Sequence, residues 1–209
     1  MSEIIGFKEW QVVCDALASG RQSLILRKGG IHEGRAGFSF AHSSFFLFPT
    51  RFHTQADQVR EGQVMVMPEW QTDDEIQITH HAEALWAVTL TDWEQVAALA
   101  PLHIYSESTV RDRFDWQGKG MAAGSIHVAL VRTRKLAEPW IFPYQPSFGG
   151  CRSWITLPTA PENWAESTIP VLNDSTFSAL ATRLHRSEWS GGTCPPTPMS
   201  ADAHDWPMN

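Results

Sequence analysis

The stretch that most constrains this chain is Gln22 to Gln55, where two short apolar runs are punctuated by a glycine pair and a proline. Leu24-Ile25-Leu26 is one run and Phe45 to Phe48 the other. Fully apolar runs this short, bounded by turn residues, read as buried strands. Arg27-Lys28 brings the first run to the surface, and Gly29-Gly30 follows. Both glycines tolerate the positive φ that a tight hairpin turn needs. Pro49 closes the second run. Around these strands lie Glu33, Arg35, Arg51 and three histidines, His32, His42 and His53. So dense a mixture of charge, imidazole and apolar strand is where a functional centre is expected.

The flanking sequence predicts an α+β protein: a helix followed by a small, mostly antiparallel sheet, then a second mixed α/β lobe. Phe7, Trp10, Cys14 and Leu17 recur at spacings of three and four, which predicts a helix over Phe7 to Ala18. Gly20 stands where a left-handed cap would end it. Gly37 to His42 is strand-like, completing a lobe over residues 1–53. Residues 54–75 form a polar connection, touching down at Val64 to Met67. The second lobe, 76–158, has strands at Ala84 to Leu90, Ile126 to Val131 and Ser153 to Leu157. Thr91 and Glu94 have the spacing of a capping box, which starts a helix that Pro101 ends. A further short helix covers Ser106 to Phe114. Residues 159–188 are a linker and a helix near Ser175 to His185. The Gly- and Pro-containing tail, 189–209, reads as disordered.

Composition narrows the function classes. In 209 residues, 43% are hydrophobic and 19% charged, a globular balance. Ten tryptophans and eleven phenylalanines supply large areas for burial. The net charge of −7 argues against a strongly basic nucleic-acid coat, although it permits a local basic groove. Twelve of the sixteen basic residues are arginine, suited to bidentate recognition of phosphate and carboxylate. Cys14, Cys151 and Cys194 show neither a disulfide framework nor zinc spacing. MSEIIGFKEW lacks the pattern of a signal peptide, and no apolar stretch approaches the ~20 residues of a membrane span. The cytoplasm is the expected location, with no membrane partner.

Four constellations carry possible chemistry. Around Lys28-Gly29-Gly30, backbone N–H groups can converge on an anion beside Arg27 and Lys28, but a plain hairpin turn explains the same residues. His32, His42, His53, His80 and His81 have no HxH or HExxH spacing, so surface or hydrogen-bonding roles are favoured over a metal site. Cys151 follows two glycines and precedes Arg152; with no base assigned from His103 or His127, a buried structural thiol at a strand start is the expectation. A restriction-endonuclease-like core would put Glu9 on the first helix and an acid-x-Lys on a strand. None of the four lysines has an acid two residues before it, and Gln117-Gly118-Lys119 near Asp115 is the nearest approach.

Taken together, FKEW, LILRKGGI, HSSFFLFPTRFH and GGCRSW resemble a bacterial family known only as domain of unknown function number eighteen hundred and two. The resemblance covers about Phe7 to Leu157. It implies an association with restriction-modification systems and assigns no catalytic residues.

The reading favoured by these residues is a non-catalytic, nucleic-acid-associated module of a restriction or defence system, with nucleic acid and restriction-system proteins as partners and no cofactor. Arg27, Lys28, Gly29, Gly30, Arg35, His42, Arg51 and His53 are its candidate binding residues, and Phe46 or Phe52 could stack on a base. The alternative is a phosphodiesterase- or nuclease-like hydrolase using Mg or Mn, with Glu9 and Glu33 catalytic. A protein-interaction domain with a Trp-rich surface is the third reading.

Overall fold

In the computed structural model, residues 3–28, 39–51, 58–60, 68–187 and 197–198 are described. The chain opens with a strand, not a helix. Strand β1 (Ile5–Trp10) runs directly into α1 (Gln11–Ala18). Phe7 and Glu9 both turn inward, the two-residue period of a strand. The helical stripe is carried instead by Val12, Val13, Ala16 and Leu17, so the helix expected from Phe7 begins only at Gln11. Gly20 does take the left-handed conformation expected after it, with φ +72°.

The remaining main strands are β2 (Leu24–Lys28), β3 (Ser44–Thr50), β4 (Glu75–Leu90), β5 (Ile126–Pro143) and β6 (Trp154–Thr156). They form one sheet in the order β2-β5-β4-β3-β1-β6. Short strand β7 (Ile169–Pro170) pairs with β5, and β8 (Thr197–Pro198) with β4. Among the described residues, every strand pairing is antiparallel except β1 with β3, which is parallel. The antiparallel bias of the expected α+β class is therefore present. Strands from residues 1–53 and from 76–158 interleave in this sheet, with Leu24 opposite Leu130. Ser39 to His42, expected within a strand, is irregular. Gly29 and Gly30 lie outside the described residues, as does the element expected at Val64 to Met67. Most of the tail, 189–209, lies outside them too.

The sheet separates two apolar layers. Strand β3 shows this by alternation: Phe45 and Leu47 enter one layer, Phe46 and Phe48 the other. The first layer holds Val13 and Leu17 of α1 with Leu24, Leu26, Val128 and Leu130. The second gathers Ile76, Ile78, Trp140, Phe142, Phe148 and Leu157. Long strands β4 and β5 serve both. Ile76 and Ile78 face the second layer and Ala82 and Ala84 the first, although all four are even-numbered. The irregularity between Ile78 and His80 shifts the pleat and makes this possible.

Three further helices pack around the sheet. In α2 (Trp93–Ala98) the cap is Asp92, whose carboxylate accepts the Glu94 N–H, one residue beyond the expected Thr91. Ser106 caps α3 (Glu107–Phe114) by accepting the Thr109 N–H. Helix α4 (Asp174–Ser187) packs Phe177 and Leu184 into the first layer. No helix among the described residues is long and apolar enough to cross a membrane.

Candidate nucleic-acid interface

An open cleft of about 630 Å³ lies where β1, β2, α3 and the loop before β6 meet. The same strand geometry that builds the core delivers its charges. Leu24, Ile25 and Leu26 of β2 are fully buried, and the strand then emerges with Arg27 half-buried and Lys28 exposed. Lys8 comes from β1, Arg113 from α3 and Arg152 from the loop. Among the described residues, these five cations line the cleft, with Asp112 as the acid.

Two of the arginines are fixed from behind. The Arg27 guanidinium lies 3.6 Å from Glu9 Oε2, donates to the Lys8 carbonyl and covers the Phe7 ring at 4.5 Å. Glu9 is fully buried, and its Oε1 accepts the Trp10 N–H at 2.8 Å. The acid expected on a first helix to hold a metal is thus on a strand, as the counter-ion of Arg27. Arg113 is nearly buried and donates to the Leu26 carbonyl at 2.7 Å. Its guanidinium stacks 4.3 Å from the Trp10 ring and 4.2 Å from the Tyr105 ring, in cation–π contacts that fix the planar group. Burial pushes the Tyr105 hydroxyl pKa up.

The Lys8 ammonium is less constrained. It donates to the Gly150 carbonyl at 2.7 Å, which ties β1 to the loop ahead of β6. Its pKa is lowered, chiefly by burial and next by the positive charge of Arg152, with a smaller contribution from Arg27. The Cys151 thiol opposes this shift. Thr50, whose hydroxyl donates to the Glu9 carbonyl at 3.0 Å, adds a polar group to the wall.

Of the residues singled out from sequence, Arg27 and Lys28 meet in this cleft. Arg51 does not join them. Its guanidinium sits 3.3 Å over the Trp70 ring, and Trp70 packs against the second apolar layer. His42 sets its ring edge-on to Trp154, 5.0 Å between centroids. Phe46 offers no free face to a base, because it is buried against Trp140 and Trp164. Cys151, expected to be buried, is exposed at the cleft, while Cys14 is the buried thiol and burial raises its pKa well above normal. Neither His103 nor His127 borders the cleft. Glu33, Arg35, Phe52 and His53 lie outside the described residues. Among the described residues, no three His, Cys, Asp or Glu side chains gather in a metal-binding arrangement.

The sequence reading missed Lys8, Trp10, Asp112, Arg113 and Arg152 as site residues. One signal for Arg113 was available. Thr109, Val110, Arg113 and Phe114 form the buried stripe of α3, so an arginine occupies a core-facing helical position. Such a position is rarely given to a charge without a specific partner.

Among solved structures, the chain is similar to the ASCH protein of Zymomonas mobilis, with TM-score 0.44 and 12% identity over 79% of this chain and 92% of that one. A serine-to-alanine variant of the Zymomonas mobilis protein gives TM-score 0.44 and 11% identity over 87% of this chain and 96% of that one. A tyrosine-to-phenylalanine variant gives 0.43 and 15%, over 75% and 91%. No curated protein matches the sequence. A family model described as a domain of unknown function (DUF1802) matches residues 6–183, reaching past the expected limit at Leu157 into α4, and the chain belongs to that family.

Proposed function

We propose that this protein is a nucleic-acid-associated binding module without catalysis of its own, and that the cleft between β1, β2 and α3 is its phosphate contact. The observation that carries this reading is a charge contrast. Five cations line one cleft of a chain whose net charge is −7. Among the described residues, Asp112 and the buried Glu9 offset two of them and leave three positive charges over. Arg27 and Arg113 are held in place by Glu9 and by the Trp10 and Tyr105 rings, so they contribute fixed positive potential. Lys8, Lys28 and Arg152 supply the more accessible charged groups. Preorganised charge of this kind favours a polyanion without demanding that many long side chains be ordered on binding.

The test is fluorescence anisotropy with labelled single- and double-stranded DNA and RNA over a salt series. Affinity is expected to fall linearly on a log–log plot, because binding releases condensed counter-ions. Replacing both Lys8 and Arg152 with alanine should weaken binding at least about tenfold and reduce the salt slope by about two. Near-UV circular dichroism will show that the variant keeps its fold. An unchanged slope in that variant would remove the cleft as the phosphate contact. The oligomers should come back intact from denaturing gels with or without Mg²⁺ or Mn²⁺. Metal-dependent cleavage would replace the binding module with the hydrolase.

A further inference from the structure

The cleft is not uniformly cationic. Lys8 and the Gly150-Cys151-Arg152 loop supply one part of its wall, and α3 supplies Ser108, Thr109 and Asp112 to another. A carboxylate here works against binding a bare phosphate chain, because it repels the same anion that its neighbours attract. Its place is accounted for when the ligand carries hydrogen-bond donors beside its negative charge. A nucleotide has both: a phosphate, and either ribose hydroxyls or an exocyclic base amine. Asp112 is exposed on α3. It precedes Arg113, which is clamped between the Trp10 and Tyr105 rings.

The shape points the same way. A volume of about 630 Å³ is in the range of small-molecule clefts. A base held in a duplex keeps its pairing edge occupied and cannot enter such a recess, whereas an unpaired one can. We propose that the cleft takes one unpaired nucleotide, with Lys8 and Arg152 holding its phosphate and Asp112 selecting it by accepting a hydrogen bond from its sugar or base. This rests on the nucleic-acid reading above and adds to it a ligand class and a specificity residue.

The experiment compares four labelled probes at one salt concentration. They are a single-stranded RNA, the DNA of the same sequence, the RNA duplex, and a tetrahydrofuran phosphodiester oligomer that lacks both bases and 2′-hydroxyls. Wild-type protein should hold the single-stranded RNA about tenfold more tightly than the duplex or the abasic oligomer. Asp112→Ala should lose about tenfold on the intact single strand and gain a few-fold on the abasic oligomer, because it removes an acceptor and a repulsion together. A loss confined to RNA identifies a ribose hydroxyl as the donor, and an equal loss on RNA and DNA identifies a base amine. Asp112→Asn, which keeps the shape and one acceptor oxygen, should retain part of the preference. If Asp112→Ala tightens all four probes in parallel, or the duplex binds as well as the single strand, this inference is overturned while the phosphate contact stands. Failure of every probe to bind wild-type protein would remove both.

Discussion

Among the described residues, His80, His81 and His103 are held neutral inside this protein. Burial lowers the pKa of His80, His81 and His103 to about 4 in each case. The next cause is a nearby cation: Lys135 for His80, Arg134 for His81, and Arg60 followed by Arg113 for His103. Unfolded, each would titrate near 6.5. Between those values the unfolded chain binds more protons than the folded one, so stability rises with pH there. It is fully present above pH 6.5 and is lost as pH falls toward 4. Each histidine contributes at most about 1.4 kcal/mol per pH unit within that window. Urea unfolding followed from pH 7 to pH 4.5 should show this slope. His81→Gln should flatten it by removing one titrating group, and an unchanged slope would mean that His81 is not held neutral.

At the scale of elements, the turn after α1 has a specific requirement. Gly20 sits at φ +72°, and a Cβ there would lie 2.7 Å from the Leu172 side chain. Gly20→Ala should therefore cost about 1–2 kcal/mol in urea unfolding, from the left-handed backbone and the crowding together. Ser19→Ala, next to it but in the ordinary helical region, should cost distinctly less. Gly20 was legible in the sequence because it ends an amphipathic run. Strand β2, helix α3 and helix α4 were legible for related reasons, each having a local pattern or a cap. Strand β1 was not. The spacing of Phe7, Trp10, Cys14 and Leu17 suits a helix, and pairing with distant Phe46 to Thr50 and Trp154 to Thr156 makes β1 a strand. Only the parts of β4 and β5 in the first layer were read as strands. Their continuations carry His80, His81, Arg134, Lys135 and Pro139, which hide the buried Ile76, Ile78, Trp140 and Phe142. The site divides in the same way. Arg27 and Lys28 follow an apolar run and announce themselves, whereas Lys8, Arg113 and Arg152 meet only once the tertiary fold has brought β1, β2, α3 and the loop before β6 together.

At the scale of the whole molecule, one sheet is the floor of both apolar layers, and β4 and β5 belong to both. Opening either layer strips cover from strands that the other needs. Thermal unfolding should therefore be a single transition, coincident by far-UV circular dichroism and by tryptophan fluorescence. Two separated transitions would instead favour independent units over residues 1–53 and 76–158. The position of β1 in that sheet has a consequence for how the protein is made. Strand β1 precedes its two sheet neighbours in the chain and lies between them, β3 on one side and β6 on the other, with Ile5 opposite Thr156. At about 5–20 residues per second, its second neighbour follows roughly 7–30 s after it. Through that interval Phe7 and one edge of β1 wait without their final cover, so β1 is synthesised well before the partner that locks it in place.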